Sequence, residues 1–198
     1  MKKHITFTLA LGAGLLFGTG CQSNKETLLM GDFFTGNLVS YQGGKMDVIA
    51  SGFRGADAIE QNGNMLYVSS WPLGKVWSYD MGTKEQKVLK GDFTTAADFY
   101  LDREGQQLVV PDMLESKIHF LKLNNDGTAS VTKTLDAPSK PESVCRGFNG
   151  KLYVTMINGD EAGDGGINVI DGDEVKEFCR GMNSPKGIAF VGGYLVTA

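Results

Sequence analysis

A chain of 198 residues is long enough for a domain with a sizeable core, and 41% hydrophobic with 21% charged residues argues against both a disordered chain and a multi-span membrane protein. The formal net charge of -4 leaves no basic excess to hold nucleic acid. Twenty-seven glycines against five prolines favour a fold with many tight hairpins, because glycine takes positive φ at little cost.

The first element is a processing segment. Lys2 and Lys3 precede an apolar run from Ile5 to Phe17, followed by Phe17-Gly18-Thr19-Gly20-Cys21. This resembles a bacterial lipobox, in which small residues let a peptidase approach the backbone and the cysteine thiol takes the lipid. The apolar run is too short to span roughly 30 Å of hydrocarbon, which needs about 20 residues. The expected organisation is a lipoprotein signal peptide over 1–20, a short tether over 21–26 behind a lipidated Cys21, and one domain over 27–198. Gln22 after that cysteine is similar to outer-membrane sorting signals. It implies a lipid-anchored protein of the bacterial cell envelope, on the periplasmic face of the outer membrane or exposed on it. A monomer is expected.

From Leu28 the chain repeats. LLMGDFFTGNLVSYQ aligns without a gap on LYVSSWPLGKVWSYD from Leu66, and further copies begin at Leu108, Leu152 and Tyr194, at spacings of 38, 42, 44 and 42 residues. Turn signals precede the later copies: Asn62-Gly63, Glu104-Gly105, Asn149-Gly150 and Gly192-Gly193. Within a unit the alternation predicts four short strands, for example Ala56 to Gln61, Met65 to Ser70, Lys75 to Asp80 and Gln86 to Lys90. Units of about 42 residues with four antiparallel strands are propeller blades. The predicted fold is therefore all-β, a propeller of four-stranded blades with about four blades present. The chain enters and leaves at second strands, so a six-bladed ring would need roughly 80 residues more.

The same register places Cys145 on a first strand and Cys179 on a fourth, about three spacings of 4.8 Å apart, too far for a disulfide. Two buried free thiols are expected.

The blade start Gly55-Ala56-Asp57-Ala58-Ile59 followed by NGNMLYVSSW, together with SPKGIAFVGGYLVTA, resembles the gluconolactonase and regucalcin-like (senescence marker protein) superfamily and its NHL-repeat relatives, over about 27–198. The resemblance implies six blades and a divalent cation, usually calcium, held over the central channel. It also implies lactone hydrolysis through a carboxylate or metal-bound water. Carried over by position, it places Asp57, Asp98 and Glu142 at the blade starts as metal ligands. Lys186 stands at the fourth such position, a departure from the pattern.

Geometry alone brings these four residues to one rim, because inner strands line the channel and share a face with the hairpins between second and third strands. Three carboxylates there repel unless a cation or a proton intervenes. They can hold calcium, act as general acid and base, or merely cap turn amides and pair with Lys186. The acidic stretch 158–166 lacks the spacing of an EF-hand loop and reads as a solvated turn. Asp32 and Asp112, at equivalent second-strand ends, read as structural. Trp71 and Phe33 match each other at the rim and serve either a sugar-stacking platform or blade packing. His119 is the one histidine after the signal peptide, which excludes a histidine triad in this stretch.

The function expected is a cell-envelope propeller binding a small or carbohydrate ligand on its funnel face through Lys186 and Trp71, as a cation-dependent lactone or sugar-ester hydrolase. The alternative is a non-enzymatic scaffold for protein or glycan. The missing blades would separate the two.

Overall fold

A computed structural model describes residues 7–9, 13–15, 26–124, 126–158 and 162–198. Cys21 lies outside the described residues, as does most of the segment read as a signal peptide. Of that segment, β1 (Phe7–Leu9) and β2 (Ala13–Leu15) form a short antiparallel hairpin. Among the described residues no helix is long and apolar enough to cross a membrane.

The rest is a row of antiparallel sheets in strict chain order. The first has three strands, β3 (Thr27–Gly31), β4 (Asn37–Gln42) and β5 (Lys45–Ser51). Three complete blades follow. They are β6 (Ala56–Asn62), β7 (Met65–Ser70), β8 (Lys75–Asp80) and β9 (Gln86–Gly91); β10 (Tyr100–Asp102), β11 (Gln107–Asp112), β12 (Lys117–Leu123) and β13 (Ala129–Asp136); and β14 (Lys140–Arg146), β15 (Leu152–Ile157), β16 (Gly165–Asp171) and β17 (Glu174–Met182). The last sheet is β18 (Ile188–Val191) paired with β19 (Tyr194–Thr197). This is the blade arithmetic of the repeat: a unit joined at its second strand, three whole units and the first half of another.

Each blade carries buried apolar side chains on both faces, so the core is divided into layers between neighbouring blades. Leu29 and Leu38 meet Phe53, Ile59, Val68 and Trp77; Val76 and Leu89 meet Phe99, Leu108 and Leu121; Val109, Ile118 and Leu135 meet Val144, Val154 and Met156. A smaller layer joins Cys145, Tyr153 and Ile167 to Ile188. Phe53 and Phe99 are among the largest side chains completely withdrawn from solvent. Burial at about 25 cal/mol per Å² makes these layers the main force that stacks one blade on the next.

Polar stitches cross the same boundaries. Arg103 Nη2 donates to Glu60 Oε2 at 3.0 Å and to Gln61 O at 2.7 Å, one blade back. Arg146 repeats the device, donating from Nη2 to Asp102 Oδ2 at 3.0 Å and from Nε to the Tyr100 hydroxyl at 3.1 Å.

The hairpins between second and third strands are pinned by one recurring acceptor. Asp32 follows β3 directly and Ser70 and Asp112 end β7 and β11, and each side chain takes the amide proton of the residue three further on, Thr35, Leu73 or Glu115. Asp112 also accepts from the amides of Thr94 and Thr95 at 2.9 and 3.0 Å, locking the hairpin onto the segment that leads into the inner strand. The structural reading of the two aspartates therefore holds. At Gly55 (φ +69°) the approach is so close that an added Cβ would stand 2.3 Å from Pro72, so only glycine fits.

Cys145 and Cys179, the cysteines among the described residues, are free, with β15 and β16 between their strands. Cys145 is buried, but Cys179 is only partly so. That corrects the expectation of two buried thiols: β17 is an outer strand with most of its side chains facing solvent.

Candidate functional site at the starts of the inner strands

The acids read from the repeat sit where the inner strands are irregular. The β6–β7 ladder slips between Ala56 and Ile59, and the β14–β15 ladder between Pro141 and Val144, so Asp57 and Glu142 both lie in bulges. A bulge releases a residue from the ladder and re-aims its side chain. The freed amides are not wasted. Ala58 N donates to Ser69 Oγ at 3.1 Å and Ser143 N to Thr155 Oγ1 at 3.0 Å, each a buried hydroxyl on the second strand. Asp98 precedes β10 and bridges in parallel to Ser143, with Asp98 N donating to Glu142 O at 3.0 Å and Val144 N to Asp98 O at 3.2 Å.

These contacts draw three blades together. Ser143 Oγ donates to Asp98 Oδ2 at 2.6 Å and accepts from Ile188 N at 3.3 Å. Thr155 Oγ1 donates to Lys186 O at 2.7 Å, and Lys186 Nζ donates to Glu142 Oε1 at 3.5 Å. Glu142 Oε2 is buried without a hydrogen-bond partner.

The electrostatics follow from burial. Desolvation pushes Asp57 up to about 7; the Glu142 charge adds to this and Lys186 opposes it. Asp98 is raised well above the ordinary carboxylate range, again chiefly by desolvation, with Ser143 pulling the other way. Glu142 is raised by burial and restrained by Lys186. Glu60, three residues further along β6, is raised by burial against the pull of Arg103. The result is a group of carboxyls whose charged forms burial disfavours, with Asp57 at about 7, beside the Lys186 ammonium, an arrangement suited to proton exchange with a bound molecule.

As a cation site the arrangement is incomplete. Among the described residues no three histidine, cysteine, aspartate or glutamate side chains gather closely enough to hold a metal ion. Asp98 is engaged by Ser143 and Glu142 by Lys186, so the donors present do not form the oxygen shell that calcium requires.

The other sequence candidates are peripheral. Trp71 is half-buried in the β7–β8 turn, with its amide on Gly55 O at 3.2 Å, and Phe33 occupies the matching turn beside an outward-facing Phe34. Residues 159–161 of the acidic hairpin lie outside the described residues. His119 is stacked on Phe93 with ring centroids 4.7 Å apart, and its Nε2 lies 4.0 Å from Asp112 Oδ2. Ser143, Thr155 and Ser69 carry the geometry and were not singled out from sequence. A hydroxyl at the second-strand position opposite a blade-start acid, Ser69 against Asp57 and Thr155 against Glu142, was the available signal.

Radially stacked four-stranded blades with irregular inner-strand starts converging at one end define a β-propeller. The fold is that of gluconolactonase-like and related propellers. A candidate gluconolactonase superposes with a TM-score of 0.69 at 17% identity, over 87% of this chain and 67% of that one. Virginiamycin B lyase from Staphylococcus aureus superposes at 0.68 with 14% identity, over 87% of this chain and 59% of the lyase. A chain of a nidogen–laminin complex gives 0.64 and 14%, over 87% and 67%. The chain thus spans about three-fifths to two-thirds of the length of these propellers. No family model matches it, and no curated protein matches it by sequence. A lyase and a chain of a nidogen–laminin complex share this architecture, so the likeness fixes fold and leaves chemistry to the site.

Proposed function

We propose that this chain is the ligand-binding part of a lipid-anchored cell-envelope propeller that hydrolyses a lactone or sugar ester at the inner-strand starts. The observation that supports it is the Glu142–Lys186 pair beside Asp57, which stands near 7 and is therefore able to exchange protons at neutral pH, with the buried Asp98 adjoining both acids. In this reading Lys186 draws charge toward the carbonyl oxygen and the Asp57 carboxylate takes a proton from water. Water oxygen bonds to the carbonyl carbon, the ring C–O bond breaks, and the proton passes from Asp57 to the departing alkoxide.

Hydrolysis of a lactone panel by the full-length protein, followed in a pH-stat, tests the reading. Turnover should fall roughly 10²-fold or more in Asp57→Asn. Turnover unchanged in that variant, or none with any lactone, would leave the scaffold reading. That alternative has its own support in the outward-facing Phe34 and Leu114, 91% and 54% exposed on equivalent hairpins. The anchor belongs to the same proposal: Cys21→Ser should abolish incorporation of labelled fatty acid.

A further inference from the structure

Four inner-strand starts bring four ionisable side chains to one end of the channel, and the fourth is a lysine. Its place is built rather than incidental. Lys186 O accepts from the buried Thr155 hydroxyl at 2.7 Å, and Lys186 N donates to Ala198 O at 2.8 Å, so the backbone is held on both sides. The side chain is about half exposed, at 49%, and runs from solvent to a carboxylate that is 10% exposed, ending 3.5 Å from Glu142 Oε1.

The second oxygen of that carboxylate, Oε2, is shut off from solvent and has no partner, in a residue only 8% exposed. Buried acceptors are almost always paired, so an unpaired one beside converging polar groups marks where a ligand's donor belongs. The ammonium stands on the approach to this carboxylate, and a second positive ion there would be repelled by it. A divalent cation would have to displace Lys186 from Glu142 and Ser143 from Asp98 before it met enough oxygens.

We infer that Lys186 is the resident cation of this centre, which therefore takes an oxygen-rich, uncharged or singly negative ligand without a divalent metal ion. An acceptor oxygen of the ligand meets Lys186 Nζ, and a hydroxyl of the ligand donates to Glu142 Oε2. The inference rests on this face being the ligand site. Its test contains no lactone, so failed turnover in the assay above and failure of the inference are read separately.

Calcium chloride and manganese chloride are titrated calorimetrically into the full-length protein, its Lys186→Asp variant and the double variant Lys186→Asp/Glu142→Gln, each checked for folding by circular dichroism. The wild-type protein should give no saturable heat up to millimolar metal, and its melting temperature should not move with chelator. Lys186→Asp should gain metal affinity by roughly ten-fold or more, because a fourth carboxylate replaces the repelling charge. The double variant should lose that gain. Saturable binding of either metal by the wild-type protein would overturn the inference, and so would a folded Lys186→Asp protein that takes up neither metal. If Lys186→Asp does not fold, Lys186→Asn supplies the same comparison with a neutral oxygen donor.

Discussion

Ser143 donates its hydroxyl to Asp98 Oδ2 at 2.6 Å across the boundary between two blades, while the same oxygen accepts the amide proton of Ile188 from the next blade. One completely buried hydroxyl therefore ties three inner strands together and fixes the carboxyl of a channel acid. The contact is local chemistry with a long reach, since it joins residues 45 positions apart in both directions.

Ser143→Ala removes both bonds and leaves Asp98 buried without its partner. The expected loss of stability is about 1–3 kcal/mol, the cost of an orphaned buried polar group, read by urea denaturation. Because Asp98 and Ser143 share one bond, the losses in Ser143→Ala and Asp98→Ala should fall short of adding in the double variant. The coupling should be about 0.5–3 kcal/mol. Additive losses would mean that the hydroxyl serves the backbone and not the acid.

Phe53 has no exposed surface and meets Trp77 and Tyr79 edge-on, with ring centroids 5.7 and 6.1 Å away. It lies in the linker before β6 and fills the layer between the three-stranded sheet and the first whole blade. Phe53→Ala should cost about 3–5 kcal/mol. Hydrogen exchange in that variant should rise first in β3, β4 and β5, because their packing partner is the one removed. Uniform loss of protection across all the sheets would show instead that the blades unfold as one unit.

The two thiols should differ sharply in reactivity. Burial pushes Cys145 up to about 12, helped by the nearby Asp98 carboxyl, so almost no thiolate is present at neutral pH. Cys179 is partly exposed on an outer strand. Alkylation of the native protein followed by peptide mapping should modify Cys179 within minutes and Cys145 only after denaturant. Equal rates would place Cys145 in a region that opens readily.

Much of the architecture was legible because a propeller repeats its chemistry with its strands. The leucines and tyrosine that open each copy, Leu28, Leu66, Leu108, Leu152 and Tyr194, fall on β3, β7, β11, β15 and β19, and the strand predicted over Ala56 to Gln61 is β6 with one residue added. Placing Asp57, Asp98, Glu142 and Lys186 at one end of the channel followed from the same register. The bulges did not, because slippage of the ladder at Ala56–Ile59 and Pro141–Val144 leaves no mark in alternation over so few residues. Nor did Ser143 or Thr155. A hydroxyl inside a strand looks like a neutral filler until the partner strand shows which amide it serves. Cys179 was misjudged for a related reason: apolar alternation predicts which side of a strand faces inward, but not that an outer strand has little to face.

The pH dependence of stability offers a test of the acid cluster that needs no ligand. Asp57 stands at about 7 in the folded chain against an ordinary value of 3.8, because burial and the Glu142 charge favour its neutral form over the pull of Lys186. The groups facing it are Glu142 and Lys186, with Asp98 and Glu60 further along the channel, and all three other acids are raised as well. A carboxyl raised on folding binds its proton more tightly in the folded state. Its contribution is therefore complete below the unfolded value near 4 and is lost as pH rises through about 7. Urea unfolding between pH 4 and 8 should show stability falling with pH by at most about 1.4 kcal/mol per unit for this one group. Asp57→Asn, neutral at every pH, should flatten the part of that slope centred on Asp57 and leave the protein more stable than wild type at pH 8. If the wild-type protein instead gained stability across this range, or Asp57→Asn left the slope unchanged, Asp57 would be an ordinary solvated carboxylate. The proton-exchange role given to it would then fall.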